Sequence, residues 1–435
     1  MKVAIDQLAA KLESVLGTGA VESNSRTLAS YTVDGKFPGI LCTPGDPEQV
    51  SAALGICAEA DASVVPWGGG TAIGLGNIPR RANVVIEIKR LNGLIEHDDA
   101  NLTASAQAGM RVAALQNILG QRNQFLAIDP PCPGRATIGG LAAANSNGPR
   151  RLLYGGVRDL VIGMKMVLAN GQQIKAGGKV VKNVAGYDMC KLFVGSLGTL
   201  GVITEVTFKL APIPESAATL VAYGPFSQVL ELADQLIQST LLPAAVTILS
   251  AEATNEASLT PGSHAVAVWA EGFEEAVARH LREVRELAGR IGLRAEILRE
   301  GSHRLLWDQV RDFAANGDNV LYRITVPPAS MAEVAVKIEQ WSASERPVRF
   351  IAHAGSGVVW VSLDADPSAA AWFPRLTALA QQRRGHVVMA AAPTELKQGV
   401  DVWGPSPPSL AIMREIKQQF DPQGILSPGR FIARL

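Results

Sequence analysis

The stretch Val64-Val65-Pro66-Trp67-Gly68-Gly69-Gly70-Thr71-Ala72-Ile73-Gly74-Leu75-Gly76 decides how this chain is read. Two β-branched residues run into a proline; a triple glycine, a hydroxyl residue and two more glycines follow. Consecutive residues without Cβ let a backbone approach a ligand closely and turn successive N–H groups into one concavity, a geometry that suits a diphosphate. Read alone, the stretch is equally a flexible turn between two strands. Its spacing is not G-x-G-x-x-G, Asn77-Ile78-Pro79 interrupts any helix behind it, and no Gly-Lys-Ser/Thr is present, so dinucleotide-fold and P-loop readings are both poor.

Working outward, Asp46-Pro47-Glu48-Gln49-Val50 opens a helix with Asp46 as N-cap and Pro47 at the first helical position. Residues 63–66, 84–88, 94–95 and 102–107 read as short strands and 111–119 as a helix, a β/α alternation around one sheet. Ile5, Leu8, Leu12, Val15 and Leu16 mark a lead-in helix. A second dense stretch runs from Asp129-Pro130-Pro131-Cys132 through Thr137-Ile138-Gly139-Gly140-Leu141-Ala142-Ala143-Ala144-Asn145-Ser146-Asn147-Gly148. Its small residues permit either tight packing or close approach by a flat ligand, to which Thr137 and Asn145 could hydrogen-bond. A third holds Lys182-Asn183-Val184-Ala185-Gly186-Tyr187-Asp188 and Gly195-Ser196-Leu197-Gly198-Thr199-Leu200-Gly201-Val202-Ile203-Thr204, which leads into a strand. Beyond Pro212 and Pro214 the composition shifts to helices alternating with strand candidates, the pattern of an α+β second domain. Residues 410–420 form a last helix before the turn-rich Ser427-Pro428-Gly429-Arg430-Phe431.

The 435 residues suffice for two or three domains. Forty Lys and Arg balance forty Asp and Glu, so no electrostatic footprint for nucleic acid exists. No apolar run reaches spanning length, and the expected location is cytoplasmic, with docking on a membrane complex still open. Cys42, Cys57, Cys132 and Cys190 lie far apart, which argues against an iron–sulfur cluster or structural zinc in this chain.

The three glycine stretches in this order, with the tail, resemble the vanillyl-alcohol-oxidase (PCMH) type of FAD-binding proteins, and within it the flavoprotein subunits of glycolate oxidases. The likeness covers about 35–215 and resumes at 410–431. It implies an α+β fold: a lead-in (1–34), a two-subdomain FAD-binding domain (35–215), an α+β cap on the substrate side (216–405), and a C-terminal segment (406–435) returning to the FAD domain. The implied FAD-binding residues are Pro66, Trp67, Gly68, Gly69, Gly70, Thr71 and Ala72. Thr137, Gly139, Gly140, Ala143, Asn145 and Gly148 would line the flavin, with Tyr154, Gly155, Asp159, Gly201, Val202 and Ile203 at the family's spacing. Thr71 stands where members with a covalent flavin often carry histidine, so non-covalent FAD is expected.

The departures concern chemistry. Catalytic sister flavoproteins resemble H-x-G-D-G-N-x-H in the cap, where two histidines serve a metal and substrate centre. Here the stretch is His353-Ala354-Gly355-Ser356-Gly357-Val358-Val359-Trp360, so one histidine remains and no metal site is expected. Trp307-Asp308-Gln309-Val310-Arg311 resembles a substrate-side W-x-x-x-R segment. Arg311 or Arg323 could clamp a carboxylate, or equally belong to a solvated helix face or an interdomain salt bridge, and His353 is the one general-base candidate. The resemblance implies glycolate or another 2-hydroxy acid as substrate, oxidised to glyoxylate in the glycolate case. It also implies partners, a catalytic sister flavoprotein and an iron–sulfur subunit leading to quinone. A self-sufficient hydroxy-acid dehydrogenase of the D-lactate kind and a non-catalytic assembly subunit are the alternatives.

Overall fold

The computed structural model describes residues 5–178, 187–257, 259–315 and 319–435, so residues 182–186 of the third glycine stretch lie outside the described residues. Strands β1 (Val21–Glu22), β2 (Ile40–Cys42), β3 (Val64–Trp67) and β4 (Val84–Glu87) form one sheet in the order β1-β2-β4-β3. β2 and β3 both run parallel to β4, and the helix Pro47–Glu59 makes the crossover between them. That helix starts where the sequence predicts: Asp46 Oδ1 accepts from Gln49 N at 2.7 Å, and Pro47 occupies the first turn. Val50, Ala53, Leu54 and Cys57 recur at helical spacing and are wholly buried against the sheet.

β5 (Leu94–Asp98) and β6 (Thr103–Gln107) belong to a second, antiparallel sheet. After the short β7 (Gln124–Phe125), it is completed by β8 (Val161–Val167), β9 (Gln173–Gly177) and β10 (Val202–Lys209), in the order β5-β6-β10-β8-β9. β11 (Ala211–Pro212) pairs with β7. This corrects the expectation of a single sheet. The strands flanking the first glycine loop pair in parallel through a helical crossover, whereas those from β5 onward pair antiparallel, β5 with β6 and β8 with β9 through short connections, and among the described residues the two ladders do not join. One apolar core, including Val64, Ile86, Ala106, Leu141, Met166 and Val206, lies between them. The lead-in helix Ile5–Leu16 adds Leu8, Leu12 and Leu16 to that core, and β1 extends the first sheet.

The tail enters the same core. Val64 N donates to Ile425 O at 2.8 Å and Ser427 N to Val64 O at 2.8 Å, so residues 425–427 run beside β3. Ile425 and Leu426 are fully buried there, after the whole second unit has intervened in sequence.

The second unit is an eight-stranded antiparallel sheet. Its strands are β12 (Ser216–Gly224), β13 (Ala245–Leu249), β14 (His264–Gly272), β15 (Arg294–Arg299), β16 (Asn319–Thr325), β17 (Arg349–His353), β18 (Val358–Asp364) and β19 (His386–Ala391). They are ordered β15-β12-β14-β13-β17-β18-β16-β19. Alternation assigns the faces. Leu220, Val246, Val268, Phe350, Tyr322 and Met389 share one core with Val277, Leu281 and Val284 of the helix Glu274–Ile291 and Val334 and Ile338 of the helix Met331–Ser344. Each such Leu or Val contributes about 1.5–3 kcal/mol by leaving water. The residues between them, Thr219, Thr247, Trp269, His353, Trp360 and Arg323, point out of the opposite face.

Candidate functional site

β3 delivers Pro66 and Trp67 to the mouth of a groove that encloses about 740 Å³ of open space. Residues 65–73 form one wall; Gly139, Gly140, Ala143 and Ala144 of the helix Ile138–Ala144 form a second; Leu197, Gly198, Gly201, Val202 and Ile203 a third; Ser427 and Arg430 of the tail a fourth. All three glycine stretches thus meet in one place. The absence of side chains at the loop is required by packing. A Cβ on Gly69 would stand 1.8 Å from Arg135 O, and one on Gly68 2.2 Å from Thr137 Oγ1. The loop therefore presses backbone against backbone while its other side lines open space, as a cradle for an extended anionic ligand requires. These residues fit FAD: the amides of 68–71 would hold a diphosphate and the Gly139–Ala144 wall a flat ring.

Several residues singled out in sequence lie outside this lining. Thr137 caps its helix, its Oγ1 accepting from Gly140 N at 3.3 Å. Asn145 is the left-handed C-cap of that helix, and its Oδ1 accepts from Asn147 Nδ2 at 3.0 Å. Gly148 packs against Asp129. Tyr154 meets Phe125 edge to face, with ring centroids 5.6 Å apart. Gly155 packs on Asp159, whose Oδ2 accepts from Gly156 N at 2.8 Å and caps the next turn. Ile73, Ile88, Leu197, Gly198, Ser427 and Arg430 line the groove without having been assigned to it; the motif residues 198, 427 and 430 were the available signal.

The substrate-side candidates separate. The cap sheet aligns Thr247, His353, Val358, Thr325 and His386 in one row, and Ile351, Trp360, Arg323 and Val388 in the next. His353 is buried, with Nδ1 3.0 Å from Thr247 Oγ1. Burial, then the positive charge of Arg151, pushes its imidazole down to about 4, so it is neutral at pH 7. Burial, again with Arg151, pulls the Arg323 guanidinium down to about 10, and its Cζ lies 5.8 Å from the Trp360 ring centroid. Arg151 comes from the short helix Arg151–Tyr154 of the first unit, whose Leu152 packs against Gly355 in the turn after His353. Ser356 Oγ donates to His353 O at 3.1 Å. Among the described residues no group of three or more His, Cys, Asp or Glu side chains converges as a metal site.

Arg311 is engaged elsewhere. It binds Asp308 Oδ1 at 2.6 Å and Asp312 Oδ2 at 2.8 Å, and Asp312 Oδ1 accepts from Cys132 N at 2.9 Å. Trp307 anchors the same helix, its Nε1 donating to Thr219 Oγ1 at 2.7 Å. The ion pairs of Arg311 stay within its own helix, so among the described residues it forms no interdomain salt bridge; Asp312 ties cap to FAD unit through Cys132. Arg150 does the same from the other side, lying 4.1 Å from the Trp269 ring centroid with Nη2 3.3 Å from Glu271 Oε2.

Residues 38–177 match the model of the FAD binding domain, and residues 405–431 match the C-terminal domain of FAD linked oxidases. The glycolate oxidase subunit GlcD of Bacillus subtilis is 30% identical over 95% of this chain and 94% of its own length. This chain belongs to the FAD-linked oxidases, and FAD is its cofactor. Among other FAD-linked relatives, D-lactate dehydrogenase of Archaeoglobus fulgidus is 30% identical over 91% of this chain and 92% of its own. The glycolate oxidase subunit GlcE of Escherichia coli is 28% identical over 80% and 87%. These values do not single out one subunit type. p-Cresol methylhydroxylase shares the fold, with a TM-score of 0.75, 19% identity, and coverage of 99% of this chain and 97% of its own. Among the described residues, no helix of this FAD-linked oxidase is long and apolar enough to cross a membrane.

Proposed function

We propose that this chain is the GlcE-type FAD-binding subunit of a glycolate dehydrogenase, a complex that oxidises glycolate or a related 2-hydroxy acid. A GlcD-like sister flavoprotein would oxidise the substrate, and a GlcF-like iron–sulfur subunit would carry electrons toward membrane quinone, holding the complex on the inner face of the cytoplasmic membrane. The observation that carries this reading is the state of His353. FAD, when bound, would supply the hydride acceptor, and the chain would have to supply a base for the substrate's hydroxyl proton. A base held at about 4 removes that proton poorly at pH 7, because general-base catalysis works best with a pKa near the working pH. Its hydrogen-bonded neighbours Thr247 and Ser356 supply neither a second imidazole nor a carboxylate to raise it. Arg323 faces the same row and suits a carboxylate, which keeps a self-sufficient D-lactate-like dehydrogenase as the competing reading.

The test is anaerobic reduction of the purified chain. Its flavin bands should stay oxidised with glycolate alone, bleach with dithionite, and bleach with glycolate once the sister and iron–sulfur subunits are added. Bleaching by glycolate alone within the time of normal turnover would make the chain a complete enzyme and overturn the proposal.

A further inference from the structure

Behind the glycine loop lies a buried charged cluster drawn from three distant segments. Lys397, whose side chain has no exposed surface, donates from Nζ to Asp34 Oδ1 at 2.8 Å and to Gly74 O at 2.6 Å. Arg430, 3% exposed, donates from Nη2 to Ile73 O at 2.6 Å and also to Leu75 O. The two cations thus hold three successive carbonyls of the loop from behind. The backbone of Arg430 is fixed as well: its carbonyl accepts from Asn77 N at 2.9 Å and from Trp403 Nε1 at 3.0 Å. Among the described residues Asp34 is the one carboxylate that faces these two cations, so the cluster carries an excess positive charge.

One donor of the cluster is left over. Arg430 Nη1 is fully buried and has no hydrogen-bond partner among the described residues, and Arg430 is one of the residues that line the groove. A buried guanidinium N–H without an acceptor is costly, and a buried cation without a counter-charge more so. Asp34 Oδ2 is likewise buried without a hydrogen-bond partner, but one carboxylate serves both Lys397 and Arg430, and the groove that Arg430 lines is where a second anion can be supplied.

We propose that Arg430 is the charge partner of the FAD diphosphate: Nη1 donates to a phosphate oxygen, while Lys397 and Asp34 position the guanidinium and the 73–75 carbonyls behind it. The inference rests on the groove being the FAD seat. The diphosphate is the part of FAD that carries negative charge, and its geometry matches a guanidinium fork held beside backbone amides.

The experiment uses the deflavinated full chain, titrated with FAD and with riboflavin, which has the ring but no phosphate. Arg430→Met should weaken FAD by about 10- to 100-fold, the worth of a charged hydrogen bond, and leave riboflavin within about threefold. Arg430→Lys keeps the charge without the fork and should fall between. Inorganic pyrophosphate should compete with FAD in the wild type, a measurement that needs no variant to fold. Equal FAD affinity in the wild type and Arg430→Met, equal losses for FAD and riboflavin, or no competition by pyrophosphate would each overturn the proposal. Unchanged FAD binding in Gly69→Ala would instead show that the groove is not the seat.

Discussion

Replacing Lys417 with methionine should loosen the cofactor groove without touching any residue that lines it. Lys417 Nζ donates to Thr199 O at 2.7 Å, Leu426 O at 3.0 Å and Asp421 Oδ2 at 2.5 Å. Asp421, its side chain wholly buried, also accepts from Ile425 N at 3.0 Å and Leu426 N at 2.8 Å. One ammonium therefore fastens the helix Leu410–Phe420, the loop bearing Gly198 and Gly201, and the tail beside β3. Methionine fills similar space but leaves the Asp421 carboxylate buried without its counter-ion and two carbonyls without a donor. Summing three charged hydrogen bonds gives about 4.5–9 kcal/mol, an upper bound because the site relaxes. Deletion of one partner from a buried ion pair costs about 3–5 kcal/mol, and that is the value expected here. The assay is urea titration of the holo-protein with flavin release read by fluorescence, since a chain with separate cores need not unfold in one step. With a slope of about 3 kcal/mol per molar, the release midpoint should fall by about 1–1.7 M. Lys417→Met/Asp421→Asn should cost less than the two single changes together, by about 1 kcal/mol or more. A midpoint within about 0.2 M of the wild type, or strictly additive single costs, would refute the reasoning.

Acidity should act through the buried imidazoles. His353 and His303 are both pushed down to about 4 by burial, below their unfolded value of 6.5. Between pH 6.5 and 4 the unfolded chain binds more protons, so stability should fall with acidification, by about 3 kcal/mol for His353 if the whole shift is realised. Asp129, pushed up to about 6 by burial, opposes this over part of the range. Unfolding midpoints of the wild type and His353→Gln across that window check it: the variant's curve should be flatter. In the complex proposed above, where a sister subunit would perform the oxidation, Arg323→Met and His353→Gln should each leave kcat/KM for glycolate within about threefold; a hundredfold loss would assign the chemistry here. Under native conditions a thiol reagent at pH 8 should label Cys132 first. Cys42 and Cys57 are buried, with thiols pushed well up and to about 12 respectively, and mapping of the labelled peptides reads the order.

The sequence carried much of the groove because close backbone approach leaves a mark that only glycine can make. Gly68 and Gly69 have no room for a Cβ, and Thr137 caps the helix that Gly139 and Gly140 open. Tyr154, Gly155 and Asp159 carry a family pattern whose work in this chain is turn-making and packing between units. Local spacing could not reveal that the strands after β4 leave the first sheet, because short apolar strands read alike whichever neighbour they pair with. Nor could it place Arg430. A basic residue in a turn-rich tail reads as a solvated charge until the fold brings it behind Gly74. Arg311 shows the reverse: the Trp-x-x-x-Arg pattern reads as a substrate clamp, yet Asp308 and Asp312 claim the guanidinium.

The position of the tail also sets an order of events for the newly made protein. Chains emerge from synthesis N-terminal end first, and their domains tend to fold in that order. Here the strand and the glycine loop of the groove emerge early, but Ser427, Arg430 and the Lys417 anchor emerge only after the entire cap. The FAD unit can therefore collapse around its two sheets while one wall of its groove is still unmade, and β3 waits with an open edge for residues 425–427. Flavin is then captured by a chain that has already emerged past its cap, as a final closing step. Changes near the tail should accordingly appear first as protein made in normal amount but short of flavin.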